Sequence, residues 1–314
     1  MLFELTTRPN PDVFYHRDDP NDIRLGELIS FDPTDYERAK VIILGCPQDE
    51  GVQRNQGRVG ARYAPDAIRR AFYRLSPLGI HPEIIFDIGD TRVQTTLEET
   101  HAIHQQVVQQ IIQDNKKLIV LGGGNDISYP DCAGLAQAVI GNVAAFNIDA
   151  HFDVRADTPC NSGTPYRQLL EGAYIQPENF YEMGYHPFAN SPVYLQYLKQ
   201  LGVNIHSLEN LHSVGVKTKF EHILNELEHI QAIFWGIDMD AIHAAEAPGV
   251  SAPNSLGLTG HELCQIMSLA GYDKRTHLIE FTEVNPTYDI DERTSKLVAI
   301  AIYHYLATLA IIKL

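Results

Sequence analysis

The sequence predicts an α/β protein, a single three-layer αβα domain over residues 1–314 with a mainly parallel sheet of about eight strands. Three observations lead there. Eight short apolar runs recur along the chain, mostly without alternation, as strands buried on both faces require. Segments with helical spacing separate them, and a strand–helix alternation implies a parallel sheet covered by helices on both sides. No repeat, low-complexity tract or Pro/Ser-rich linker divides the chain.

In chain order the strand-like runs cover residues 41–44, 84–88, 117–121, 143–148, 180–183, 203–205, 232–237 and 278–281, and the clearest helical patterns cover 96–114, 192–201, 219–229 and 259–270. Residues 1–40 read as an amino-terminal extension, with motifs beginning near Cys46. The most membrane-like segment, 297–312, is interrupted by Tyr303, His304, Tyr305 and Thr308 and falls short of a span, so a buried carboxyl-terminal helix is expected. The preceding Asp291-Glu292-Arg293-Thr294-Ser295 offers capping side chains and acids suited to a helix start.

With 44% hydrophobic residues, the chain can bury a sizeable core without disulfides. The net charge of -16, with no Lys/Arg-rich run, argues against a nucleic-acid partner and for a small-molecule substrate. Cys46, Cys132, Cys160 and Cys264 are scattered and form no CxxC pair, so they are expected to be ordinary buried thiols. The amino terminus lacks the basic start and apolar run of a signal peptide, and no membrane span is expected, so a cytoplasmic location follows.

In an open parallel sheet, functional groups gather at the carboxyl ends of strands. The run 146–153 leaves a strand with Asp149, His151 and Asp153 at alternate positions, which an extended backbone would aim to one side. A second run ends in Asp238-Met239-Asp240. One Asp-x-Asp alone would read as a turn or cap. Two such strand ends together place more like charge than burial tolerates without cations. Oxygen-rich ligation with an imidazole suits Mn(II) better than a thiolate-rich structural zinc site, and bridging carboxylates suit a metal pair, so one or two Mn(II) per chain are expected. Gly122-Gly123-Gly124 lacks the third glycine of a dinucleotide fingerprint, with Ile127 in its place, so no nucleotide cofactor is expected.

These motifs resemble the ureohydrolases, the family of arginase, agmatinase and formiminoglutamase. Asp-Ala-His-x-Asp matches 149–153, and the likeness continues through 238–240, Ala247 to Pro253 and Glu283-Val284-Asn285-Pro286. Asp49-Glu50-Gly51-Val52, Asn55, Gly57-Arg58-Val59-Gly60, Pro65 to Arg69 and Ser162 to Gln168 look most like formiminoglutamase; arginases carry Asn at the place of Thr164 and His at that of Tyr166.

The resemblance implies hydrolysis of N-formimidoyl-L-glutamate to glutamate and formamide, with metal lowering the pKa of water so that hydroxide is available near neutrality. It also implies that Glu283 pairs with the cationic amidinium. Arg58, Arg155 and Arg167, with Ser162, Thr164 and Asn190, would bind the rest of the substrate, Arg because its planar fork matches a carboxylate. Arg155 has a second reading, neutralising the acidic cluster.

One departure stands out: the family usually places a histidine ligand where this chain has Asn125, a neutral and poorer donor toward Mn(II), so one metal position should be weaker. His101 and His104 fit one face of an exposed helix and, with His186, are expected to be structural or to support the ligands from behind; His243 is a remote candidate for a replacement ligand. The family implies a homo-oligomer. The rival readings are a hydrolase of agmatine or another guanidino compound, and a catalytically silent relative that binds a ligand or partner.

Overall fold

The computed structural model describes residues 2–311. Its strands are β1 (Thr6–Thr7), β2 (Val41–Gly45), β3 (Ile85–Thr91), β4 (Lys117–Leu121), β5 (Asn142–Ile148), β6 (Phe180–Tyr185), β7 (Asn204–Ser207), β8 (Ile230–Asp238) and β9 (Thr276–Thr282). They form one sheet in the order β1-β3-β2-β4-β9-β8-β5-β6-β7. The eight apolar runs become the eight mutually parallel strands β2 to β9. The ninth, β1, is antiparallel to β3 and was not expected, because two residues carry no periodicity to read.

The helices are α1 (Leu2–Leu5), α2 (Glu50–Arg54), α3 (Ala64–Phe72), α4 (Leu97–Gln113), α5 (Ser128–Ala138), α6 (Pro165–Glu171), α7 (Pro192–Leu201), α8 (Leu208–Val214), α9 (Val216–Glu226), α10 (Gly260–Tyr272) and α11 (Arg293–Ile311). Alternate residues of each strand feed two cores. On one face Ile43, Ile119, Phe146, Trp235 and Ile279 pack with Ile68 of α3, Phe220 of α9, Met267 of α10 and Val298 of α11. On the other, Ile42, Leu118, Val120 and Phe234 pack with Val107 of α4, Leu135 of α5, Leu169 of α6 and Leu198 of α7. Burying each such side chain contributes roughly 1.5–3 kcal/mol.

Capping explains several boundaries. Thr96 with Glu99, and Thr259 with Glu262, form capping boxes that start α4 and α10. The run expected at 219–229 starts earlier, at Val216. The start of α11 is held by Asp289, outside the acids expected there: its carboxylate accepts from the backbone N–H of Thr294 at 3.0 Å and of Ser295 at 3.1 Å. α11 does meet the length and apolarity of a membrane span, contrary to expectation. Its Val298, Ile302, Tyr305 and Leu309 are nevertheless buried in the core, and it packs against α3 and α10. Ile312, placed in this helix by the sequence pattern, lies outside the described residues.

The expected amino-terminal extension is packed into the body. Val13, Phe14, Leu25 and Ile29 join the first core, and β1 extends the sheet edge.

Parallel pairing brings the carboxyl ends of the central strands to one edge. Ile148 is opposite Ile237, Asp238 opposite Thr282 and Leu121 opposite Phe281, so the segments beginning at 122, 149, 239 and 283 emerge side by side. Gly123 lets the segment after β2 come in against them, since a Cβ there would lie 1.8 Å from the Gln48 carbonyl oxygen.

Candidate metal centre

Side chains converge at this edge through turns. β5 ends at Ile148, and the backbone N–H of His151 donates to Asp149 Oδ1 at 2.7 Å. Asp238 ends β8, and its Oδ1 accepts from the N–H of Asp240 at 2.8 Å, closing a short 3-10 turn. Each Asp thus caps its own turn two residues on. Convergence along one face of an extended strand, the expected route, is replaced by these turns. Asp153 and Glu283 also hold left-handed backbone, with φ of 47° and 62°, which non-glycine residues rarely adopt and which clusters at functional sites.

Two three-residue groups result. Ligand atoms of Asp149, His151 and Asp240 all lie within 4.8 Å of one another, and so do those of Asp149, Asp153 and Asp238. Asp149 belongs to both. His151 Nδ1 is 3.3 Å from Asp149 Oδ1 and 3.2 Å from Asp240 Oδ2.

The electrostatics are those of crowded buried acids. Burial, then the Asp240 charge, pushes Asp149 up to about 6, and burial, then Asp149, pushes Asp153 up to about 8. Asp238 rises well above the carboxylate range for the same reason, burial first. The Asp240 carboxylate drives His151 strongly upward. Asp149 Oδ2, Asp240 Oδ1 and Glu283 Oε2 are buried without a hydrogen-bond partner among the described residues. Orphaned hard oxygen donors that repel one another, with an imidazole beside them, fit a pair of divalent cations such as Mn(II).

Asn125 Nδ2 donates to Asp153 Oδ2 at 2.5 Å, while its Oδ1 accepts from Thr282 Oγ1 at 2.8 Å and Ser128 Oγ at 3.0 Å. The amide oxygen therefore faces two hydroxyls and its NH2 faces the acids. Its backbone N–H donates to Glu283 Oε1 at 2.8 Å, which aims the other oxygen of Glu283 into the site.

A cavity of about 440 Å³ opens above these groups, lined by His151, Asp153, Asp238, Asp240, Asn125 and Glu283 and walled by Arg155, Ser162 and Asn190. Burial pushes Glu283 up to about 8.

The arginase family model matches residues 39–307. A formimidoylglutamase of Staphylococcus carnosus is 34% identical over 276 residues, 86% of this chain and 87% of that protein. The crystal structure of Trypanosoma cruzi formiminoglutamase with Mn2+2 superposes with a TM-score of 0.85 at 30% identity, over 92% of this chain and 99% of that one. Formimidoylglutamase of Bacillus subtilis gives 0.87 at 28% identity, over 95% of each. The chain belongs to the arginase family.

Within this arginase-family fold, three of the expected substrate contacts lie elsewhere. Arg58 donates to the carbonyls of Val250 and Ser251 and stacks on Tyr288; Arg167 pairs with Glu171 and stacks on Tyr197; the Thr164 hydroxyl is turned into its own loop, toward Asn161 and Gln168. None of the three lines the cavity. Each is claimed by a neighbour that sequence proximity does not reveal. Conversely Asn55, Ser191, Tyr194 and Ser251 line it and went unassigned. Asn55 and Ser251 belong to motifs shared with the ureohydrolases; Tyr194 lies on α7, and nothing in its local sequence points to the site.

His101 and His104 are buried, contrary to expectation, because that face of α4 meets α5. His101 Nε2 is 2.7 Å from Asp126 Oδ2, and His104 Nε2 is 2.8 Å from Asp131 Oδ1. His243 pairs with Glu246, and His186 stacks on Phe188. Cys46, Cys132 and Cys264 are buried thiols, whereas Cys160 is half-buried beside Glu98.

Proposed function

We propose that this protein is a manganese-dependent hydrolase that cleaves the formimino C–N bond of N-formimidoyl-L-glutamate with water, yielding L-glutamate and formamide. The observation that carries this reading is the pair of ligand groups sharing Asp149, with the buried Glu283 in the same cavity, in a chain 34% identical to a formimidoylglutamase.

Asp149, His151 and Asp240 would hold one ion, and Asp149, Asp153 and Asp238 the other. Bound metal supplies Lewis acidity and lowers the pKa of water toward neutrality. Glu283 accepts from the amidinium N–H groups through the oxygen left without a partner, and that cation favours its charged form. Arg155 lies at the cavity wall, and among the described residues its guanidinium makes no hydrogen bond or ion pair, which suits it to a substrate carboxylate. Asn125 donates to Asp153, orienting a ligand in place of serving as one. The Trypanosoma cruzi relative is known with Mn2+2 both as such and as an Asn-to-His variant.

The test is turnover of the Mn(II)-loaded protein on N-formimidoyl-L-glutamate, agmatine and L-arginine, with formamide, ammonia and urea each assayed. Formamide from the first substrate alone is expected. Urea from a guanidine overturns the substrate, and no product from any overturns the enzyme reading in favour of a silent relative. A homo-oligomer, supported by the exposed Ile300 and Ile311 on α11, is tested by sedimentation velocity, and a cytoplasmic location by fractionation.

A further inference from the structure

The segment 149–164 between β5 and α6 begins with metal-ligand candidates and ends with part of the cavity wall, Arg155 and Ser162. Residues 155–159 are exposed and lie outside sheet and helix. Its far limb is tied to the body at α2 and just beyond. The Ser162 N–H donates to the Gly51 carbonyl at 3.1 Å, and Asn55 Nδ2 donates to Ser162 Oγ at 3.0 Å.

Arg54 adds a link of another kind. Its Nε and Nη2 donate to Glu50 Oε1 at 3.0 and 2.7 Å, within α2. Nη1 and Nη2 donate to Glu98, in the first turn of α4, at 2.6 and 3.1 Å. Nη1 also donates to the main-chain carbonyl of Cys160 at 3.0 Å. An exposed ion pair by itself contributes little. Here one planar fork joins two helices to the backbone of a loop, a geometry that lysine cannot reproduce. The Arg54 hydrogen bond holds Glu98 down at about 2, so the pair stays charged through the neutral range.

That limb in turn carries Arg155. The Arg155 N–H donates to the Gly163 carbonyl at 2.8 Å, and a Cβ on Gly163 would lie 2.6 Å from Arg155 Cδ and 2.8 Å from its Nε. The Arg155 side chain therefore lies across bare backbone at Gly163. With no polar partner among the described residues, its guanidinium takes its position from residues 160–163.

We propose that Arg54 is a positioning residue for the carboxylate end of the substrate: by clasping the Cys160 carbonyl to α2 and α4 it fixes the limb on which Arg155 rests. It sets affinity for the acidic part of the substrate without touching the metal ligands or Glu283. This inference rests on the reading of the cavity as a site for an acidic amino-acid amidine.

The test uses full-length, Mn(II)-loaded Arg54→Gln, Arg54→Lys and Glu98→Gln, with L-glutamate as the binding probe. Arg54→Gln is expected to weaken L-glutamate binding about tenfold. It also raises KM with kcat and manganese content near wild type, and speeds amide hydrogen exchange at residues 160–163. Arg54→Lys, which keeps the charge, fails to restore slow exchange, and Glu98→Gln gives a smaller change of the same kind, which serves as the test if the Arg54 variants do not fold. Unchanged exchange and L-glutamate affinity overturn the clasp, as does a loss of kcat or manganese with affinity intact. If the wild type releases no formamide yet Arg54→Gln loosens 160–163 and L-glutamate binding, the substrate reading falls and the clasp stands. Formamide release with an unaffected variant has the opposite meaning.

Discussion

The two halves of the metal centre share Asp149 yet are built from different chemistry. One half closes with His151 and Asp240, an imidazole whose Nδ1 lies 3.2 Å from a carboxylate oxygen. The other closes with Asp153 and Asp238, both acids, and the residue beside them, Asn125, offers its NH2. Against a divalent cation the first half presents a charged-plus-neutral donor set already close together. The second sets three acids against one another, and the Asn125 amide beside them donates to Asp153. One row of strand ends thus offers two candidate positions, and we propose that they differ in strength.

The largest effect should come from the residue common to both. Asp149→Asn is expected to empty both positions, lowering manganese affinity by more than about a hundredfold and abolishing turnover, as metal analysis and a formamide assay would record. Retention of one ion per chain would show that the halves do not share Asp149.

Glu283→Gln comes next. It keeps an acceptor for the Asn125 N–H but loses the charge facing the amidinium, so kcat/KM is expected to fall on the order of 10²–10³ with manganese content intact. The inequality of the halves is sharpened by Asn125→His, which should tighten the weaker of two titrated Mn(II) sites by roughly ten- to a hundredfold and leave the tighter unchanged. Two equal sites in the wild type would break the comparison.

A pH series gives a smaller effect. Asp153 and Glu283 are pushed up to about 8 in the folded chain, while an unfolded chain releases these protons near pH ~4. Between those values the folded metal-free protein binds more protons than the unfolded one, so its stability falls as pH rises. The cost is absent below pH ~4 and complete above about 8. Mn(II) relieves it, so the rise in Tm on adding metal should be larger at pH 8 than at pH 5.5. The smallest change is expected for Arg167→Ala. Because Arg167 is held by Glu171 and Tyr197, its loss should leave KM within about twofold, the range of other surface substitutions.

Much of this was legible in the chain. The eight parallel strands follow from apolar runs, because burial on both faces imposes a local pattern that needs no knowledge of neighbours. The ligand candidates follow from acids placed just past those runs. Turn-capping at Asp149 and Asp238 was hidden, since alternation suggests an extended strand and a side chain accepting from the N–H two residues on leaves the same spacing. The burial of His101 and His104 is not legible in the chain, because helical spacing defines a face without saying what packs against it.

By itself, then, the sequence determined the sheet, the edge where chemistry gathers, the acids and imidazole gathered there, and the asparagine beside them. Tertiary structure alone decided which way that asparagine points, which of three arginines reaches the cavity, and that Arg54 secures the loop beneath Arg155. The reason is physical: apolar periodicity is a property of neighbouring residues, whereas the direction of a long polar side chain is chosen by partners such as Thr282, Val250 or Glu98, far away along the chain and adjacent only once it has folded.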